Sequence, residues 1–74
     1  MKQPRQIIDG DYTFYEFDDG HASMADSAGW VSALFVSLVA AQSWRGHADD
    51  AEKEFRRLNG GKSQGGNFVP ERKL

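Results

Sequence analysis

The sequence predicts a small α+β domain, and three observations carry that prediction. The segment from Tyr12 to Phe17 is dense in aromatic residues, which favour strands. The stretch from Ala28 to Trp44 contains no charged residue, and the segment from Ala48 to Leu58 has apolar residues at helical spacing. A chain of 74 residues has room for one hydrophobic core. We expect a single folded domain over residues 1–60 and a flexible tail over residues 61–74.

The sequence of the N-terminal part of the domain predicts a short β-hairpin. Its first strand is the aromatic segment from Tyr12 to Phe17, preceded by a short apolar run at Gln6-Ile7-Ile8. The residues Asp18-Asp19-Gly20 have the composition of a tight turn, in which glycine supplies a positive φ angle. The chain from His21 to Met24 is then the return strand.

The uncharged stretch from Ala28 to Trp44 predicts a long buried helix. Asp26 or Ser27 can cap its first turn, and Gly46 can end it. A membrane span is the alternative, because tryptophans lie near both ends. A span needs about 20 apolar residues, whereas this stretch has 17 residues and includes several polar ones. We therefore expect a core helix.

A second, amphipathic helix is predicted from Ala48 to Leu58. Its acidic residues lie near the N-terminal end and its basic residues near the C-terminal end, as the helix dipole favours. Asn59-Gly60-Gly61 ends it. The tail from Gly61 to Leu74 contains three glycines, one proline and only three apolar residues. This composition predicts mobility.

Composition argues against several classes of function. Cysteine is absent, which removes disulfides and thiol chemistry and favours a reducing, cytoplasmic location. The N-terminus runs into Asp9 and Asp11 and not into an apolar stretch, so no signal peptide is expected. No nucleophile elbow or phosphate loop occurs, and His21 and His47, although each lies near aspartates, match no metal motif. We expect a protein that is not an enzyme and that has no cofactor.

The size of the domain predicts association with a partner. Ordering each residue costs about 1.5 kcal/mol, so a small core alone leaves the net stability near zero. A long helix that is apolar on most sides would relieve this by packing against a second molecule. We therefore expect a homodimer or an obligate complex, with the helix or the aromatic strand at the interface.

A protein–protein interaction module is the function that the sequence favours, since aromatic residues dominate binding hot spots. The predicted partner-binding residues are Tyr12, Phe14, Tyr15, Glu16, Asp18, Asp19, Trp30 and Trp44.

Charge distribution leaves two alternatives open. The segment from Asp9 to Asp26 has six acids and no Lys or Arg, which suits an acidic decoy that inhibits a nucleic-acid-handling protein. Phage and mobile-element inhibitors such as anti-CRISPR proteins share this composition, although no motif links them to this chain. Direct binding of nucleic acid through the basic C-terminal part is less favoured, because the net charge is −2. The residues concerned are Arg56, Arg57, Lys62, Arg72 and Lys73, with Phe68 as a stacking group.

Overall fold

The structure is a computed structural model that describes residues 3–73. Within that range the elements are β1 (Arg5–Asp9), β2 (Tyr12–Glu16), β3 (Ala22–Asp26), β4 (Gly29–Trp30), α1 (Leu38–Ser43) and α2 (Ala48–Leu58). The four strands form one antiparallel sheet in the order β1-β2-β3-β4. The predicted α+β class is confirmed, and the predicted hairpin is the β2–β3 pair, extended by a strand on each side.

The core lies between one face of this sheet and the two helices. Phe14 at the middle of β2 pairs with Ile7 of β1 and Met24 of β3, so these side chains share one face. Phe14 and Met24 are fully buried and belong to one cluster with Ala40 and Ala41 of α1. Alanines allow the helix to approach the sheet closely, and the larger side chains of the strands fill the space.

The prediction of a long helix from Ala28 to Trp44 is wrong, because only Leu38–Ser43 of this stretch is helical. Gly29 has a φ of 121° and turns the chain between β3 and β4. Beyond β4 the buried residues alternate, at Val31, Ala33 and Phe35, and this period of two belongs to extended chain. Ser37 ends the extended segment, because its Oγ accepts a hydrogen bond from the Ala40 N–H at 3.1 Å and caps α1.

The short length of α1 has two consequences. No helix within residues 3–73 has the length and apolar character that crossing a membrane requires. The argument for a dimer built on a long apolar helix also loses its basis, whereas self-association itself stays a prediction.

Helix α2 has the predicted bounds, Ala48–Leu58. Ala51 and Phe55 are its buried residues, with Asp49 and Asp50 in the first turn. The Glu52 carboxylate accepts a hydrogen bond from the Ser32 N–H at 2.7 Å, which ties the helix to the extended segment after β4.

The C-terminal segment, predicted to be flexible, packs into the core around Val69. Val69 is fully buried and pairs in parallel with Phe35. The Trp44 indole N–H donates to the Pro70 carbonyl at 2.9 Å, and the Arg72 backbone N–H donates to Ser43 Oγ at 2.8 Å. The sequence gives no local signal for these contacts, because they join residues far apart in the chain. Residue 74 lies outside the described range.

Candidate functional site

The sheet has a second face, called here the outer face, that lies opposite the face packed against α1. Successive side chains of a strand alternate between the two faces, so the neighbours of the buried Phe14 belong to the outer one. Thr13 pairs with Ala25, Tyr15 with Ser23, and Ala25 with Trp30. The outer face is made of Gln6, Ile8, Thr13, Tyr15, Phe17, His21, Ser23, Ala25 and Trp30, with Phe68 beside His21.

Aromatic rings dominate the outer face. The Tyr15 and Trp30 rings lie 4.9 Å apart at an angle of 38°. The Phe17 and His21 rings stack at 4.5 Å, and Phe68 lies 5.0 Å from His21. These pairs hold each ring in place, so the face presents rigid apolar area with little loss of side-chain entropy on binding.

Two large apolar side chains of this face are open to solvent. Trp30 is 67% exposed and Ile8 is 72% exposed. Single exposed apolar residues are ordinary, but a connected group on one face marks an interaction surface. The position of Trp30 beside Tyr15 makes it part of such a group.

An open groove of about 380 Å³ adjoins Trp30 at the β4 end of the outer face. Its lining includes Ser23, Leu34, Phe55 and Ser63. Ser23 is 6% exposed, and its Oγ is buried without a hydrogen-bond partner among the described residues. This unpaired hydroxyl costs free energy, and it lies behind the surface that a partner would contact.

The predicted aromatic anchors divide between the two faces. Tyr15 and Trp30 come together on the outer face, as an interaction surface requires. Phe14 is fully buried in the core, so a partner cannot reach it. Tyr12 lies beneath the Arg45 guanidinium, 4.9 Å from its ring centroid, and Trp44 is half-buried and bonded to Pro70. The side chains of Phe14, Tyr12 and Trp44 belong to the core or pack against it, so they stabilise the fold.

The acidic residues on the strand ends are paired within the domain. Asp9 forms an ion pair with Arg45 at 2.9 Å, and Glu16 forms one with Arg5 at 3.2 Å. Both bases lie outside the acidic segment in the sequence and are brought to it by the fold. Each pair lowers the local negative charge that an acidic decoy would need.

The turn acids are also partly engaged. Asp19 accepts a hydrogen bond from the His21 backbone N–H at 3.1 Å and is bonded to the His21 ring, which holds the pKa of its carboxyl below the usual value. Asp26 accepts from the Ala28 N–H at 2.9 Å and stabilises the β3–β4 turn. Asp18 is exposed.

Ile8, His21, Ser23 and Phe68 belong to the outer face but were not among the predicted partner-binding residues. The alternation of Thr13, Tyr15 and Phe17 along one strand assigns Phe17 to the same face as Tyr15 already in the sequence. Phe68 has no such signal, because its place beside His21 depends on the pairing of Val69 with Phe35.

The basic C-terminal residues do not form a cationic patch with Phe68. Arg57 donates two hydrogen bonds to Glu54, at 2.8 and 2.7 Å, so its charge is balanced. The groove that contains Arg57, Arg72 and Lys73 is also lined by acids. The Phe68 ring instead faces His21 on the outer face.

The two histidines lie in different surroundings. His21 stacks on Phe17, whereas His47 precedes α2 and lines a groove with Tyr12 and Asp26. Across residues 3–73, no three His, Asp or Glu side chains group as a metal site requires.

Comparison of the chain with protein-family models, with curated proteins and with solved structures gives no match.

Proposed function

We propose that the protein is a binding module without catalytic activity, and that it holds a partner protein on the outer face of its sheet. The observation that carries the proposal is the exposed Trp30, whose ring lies 4.9 Å from that of Tyr15 beside an open groove. Trp and Tyr are enriched in binding hot spots.

The charges around the outer face favour a protein over a nucleic acid. Aromatic rings on an open sheet also suit base stacking, but such sites are flanked by Lys and Arg that bind phosphates. Here the segment from Asp9 to Asp26 carries six acids and no Lys or Arg. Arg5 is engaged with Glu16, and Arg45 with Asp9, so neither is available as an unbalanced charge.

An apolar partner surface with one hydrogen-bonding group fits this site. Its apolar part would cover Trp30 and Tyr15, and its polar group would pair with backbone or side-chain groups along the open groove beside Trp30. The absence of cysteine supports a cytoplasmic setting for this contact. The acidic-decoy alternative receives less support, because the fold pairs Asp9 and Glu16 with arginines.

The proposal is tested by capture from a nuclease-treated lysate of the cells that encode the protein, using tagged wild type, Trp30→Ala and Val39→Ala. Val39 is 59% exposed on α1 and serves as a matched apolar control away from the outer face. We expect a protein that wild type and Val39→Ala retain and Trp30→Ala loses. With the purified partner, Trp30→Ala should raise the Kd by about thirtyfold, the size of a hot-spot loss of about 2 kcal/mol.

The salt dependence of binding separates the alternatives. Added salt should change the Kd little, since apolar contacts are not screened. Steep loss of affinity with salt would favour the decoy. Capture that is unchanged in Trp30→Ala, or that disappears on nuclease treatment, would contradict the proposal.

A further inference from the structure

Strand β1 is an edge of the sheet. It pairs with β2 on one side, and no other strand within residues 3–73 pairs with it. Four of its five residues are exposed, among them Gln6 and Ile8. An open edge of this kind offers backbone groups to a further strand.

The register shows which backbone groups are open. The two-residue Gly10-Asp11 turn makes Asp9 and Tyr12 a hydrogen-bonded pair, and these pairs alternate along an antiparallel ladder. The Phe17 N–H donates to the His21 carbonyl at 2.9 Å, which confirms that odd-numbered residues of β2 bond to β3 and even-numbered ones to β1. The N–H and C=O groups of Gln6 and Ile8 therefore point away from β2.

The sequence of this edge is complementary to itself. In an antiparallel pairing of two copies about a two-fold axis at Ile7, Arg5 of each copy lies opposite Asp9 of the other on the same face. Gln6 lies opposite Ile8 of the second copy, so the four open backbone groups of each strand are matched. We propose that a second copy of this chain pairs with β1 in this register.

Charge supports this register over the others. Asp9 is already paired with Arg45, and Arg5 with Glu16, and all four side chains keep some exposure. Dimerisation joins these ion pairs into two rows of alternating charge. In each row, Arg5 of one copy lies between its own Glu16 and the second copy's Asp9. A parallel pairing would place Arg5 opposite Arg5, and a shift by two residues would place either Arg5 or Asp9 of each copy opposite Ile7 of the other.

Pro4 marks the end of the pairing. It follows the same alternation as Gln6 and would point its backbone nitrogen outward, but proline has no N–H to donate. In the proposed register Pro4 lies opposite Gly10 of the second copy, beyond the last matched pair. The pairing is therefore limited to the five residues of β1.

The proposed dimer has one continuous sheet made from two four-stranded sheets. Because the two-fold axis is perpendicular to the sheet, both outer faces lie on the same side and both sets of helices on the other. This inference goes beyond the proposed function and does not rest on it, since it uses the strand edge and not the Trp30 groove.

Amide hydrogen exchange combined with sedimentation tests the pairing on the full chain. The contact is small, so measurements should span about 50 μM to 1 mM, the range of weak interfaces. We expect a dimer mass at the upper end, with exchange at Gln6 and Ile8 slowed about tenfold relative to the lower end. The Ile7 amide, bonded to β2 in every state, is the internal control. A monomer mass throughout, with no change at Gln6 and Ile8, would overturn the proposal.

Gln6→Pro is the matched variant. Proline there removes only an outward N–H, so the hydrogen bonds between β1 and β2 remain. We expect a folded monomer by circular dichroism. A dimer that persists in this variant would show that another surface is used and would overturn the proposal.

A charge-exchange experiment tests the register itself. R5D and D9R each place like charges opposite one another in their homodimers, and we expect the dimer Kd of each to rise about tenfold, as two lost pairs and two repulsive ones imply. A mixture of R5D and D9R restores both opposite-charge pairs between the copies. The mixed dimer should therefore form with a Kd close to that of wild type, and failure of the mixture to associate would contradict this register.

Discussion

Substitution of Val69 tests the largest difference between the expected and the observed fold, the packing of the C-terminal segment. Val69 is fully buried and pairs with Phe35. Val69→Ala removes two methyl groups, which are worth about 0.8 kcal/mol each in burial, or about 1.6 kcal/mol together. A residual cavity of about 30 Å³ adds about 0.7 kcal/mol. We expect the free energy of unfolding to fall by about 2 kcal/mol.

The assay is urea unfolding at 25 °C, followed by tryptophan fluorescence and by far-ultraviolet circular dichroism, with linear extrapolation to water. Val39→Ala is the control, because Val39 is 59% exposed and its substitution should change the stability by less than about 0.5 kcal/mol. If Val69→Ala matches this control, the segment around Val69 does not contribute to the core, and the reasoning from its burial fails.

Two further predictions concern the α1 cap and the β2–β3 turn. Ser37→Ala removes the oxygen that accepts from the Ala40 N–H, and it should cost about 1 kcal/mol of unfolding free energy by the same urea assay, whereas Ser27→Ala at an exposed turn should cost less than about 0.5 kcal/mol. Equal effects would refute the cap. His21→Ala should raise the pKa of Asp19 toward the ordinary carboxyl value, because the hydrogen bonds from His21 hold it down. A group with a lowered pKa stabilises the fold above the ordinary carboxyl pKa, and this contribution is lost as the pH falls through the lowered value. Carboxyl titration by NMR measures the change, and an unchanged Asp19 pKa would contradict it.

The two proposed surfaces can be tested separately because they use different groups. Trp30→Ala alters the outer face and leaves the open backbone groups of Gln6 and Ile8 in place. Gln6→Pro alters the edge and exchanges one side chain opposite Tyr15, but it leaves the Trp30–Tyr15 pair in place. If both proposals hold, the dimer presents two partner sites on one side of a continuous sheet. Gln6→Pro should then lower the avidity for a multivalent partner without changing the affinity of one site.

Local patterns determined the parts of the fold that depend on neighbouring residues. Helix α2 could be placed from Ala48 to Leu58 because its apolar spacing, its charges and the following glycines all act within one segment. The aromatic strand and the Asp-Asp-Gly turn were predicted for the same reason, and with them the α+β class. Tyr15 and Trp30 were selected as candidate partner-binding residues from their type alone, and that role stays a prediction.

Tertiary contacts decided the rest. The stretch from Ala28 to Trp44 has apolar residues that fit either a helix or an extended chain, and pairing of Phe35 with Ala22 and Val69 selects the extended form for its first half. The same pairing buries Val69 and brings Phe68 to the outer face. Arg45 reaches Asp9 across 36 residues, which offsets part of an acidic segment that looks unbalanced in the sequence. Long-range pairing of this kind depends on where strand edges are left open, and the local composition of the chain does not contain that information.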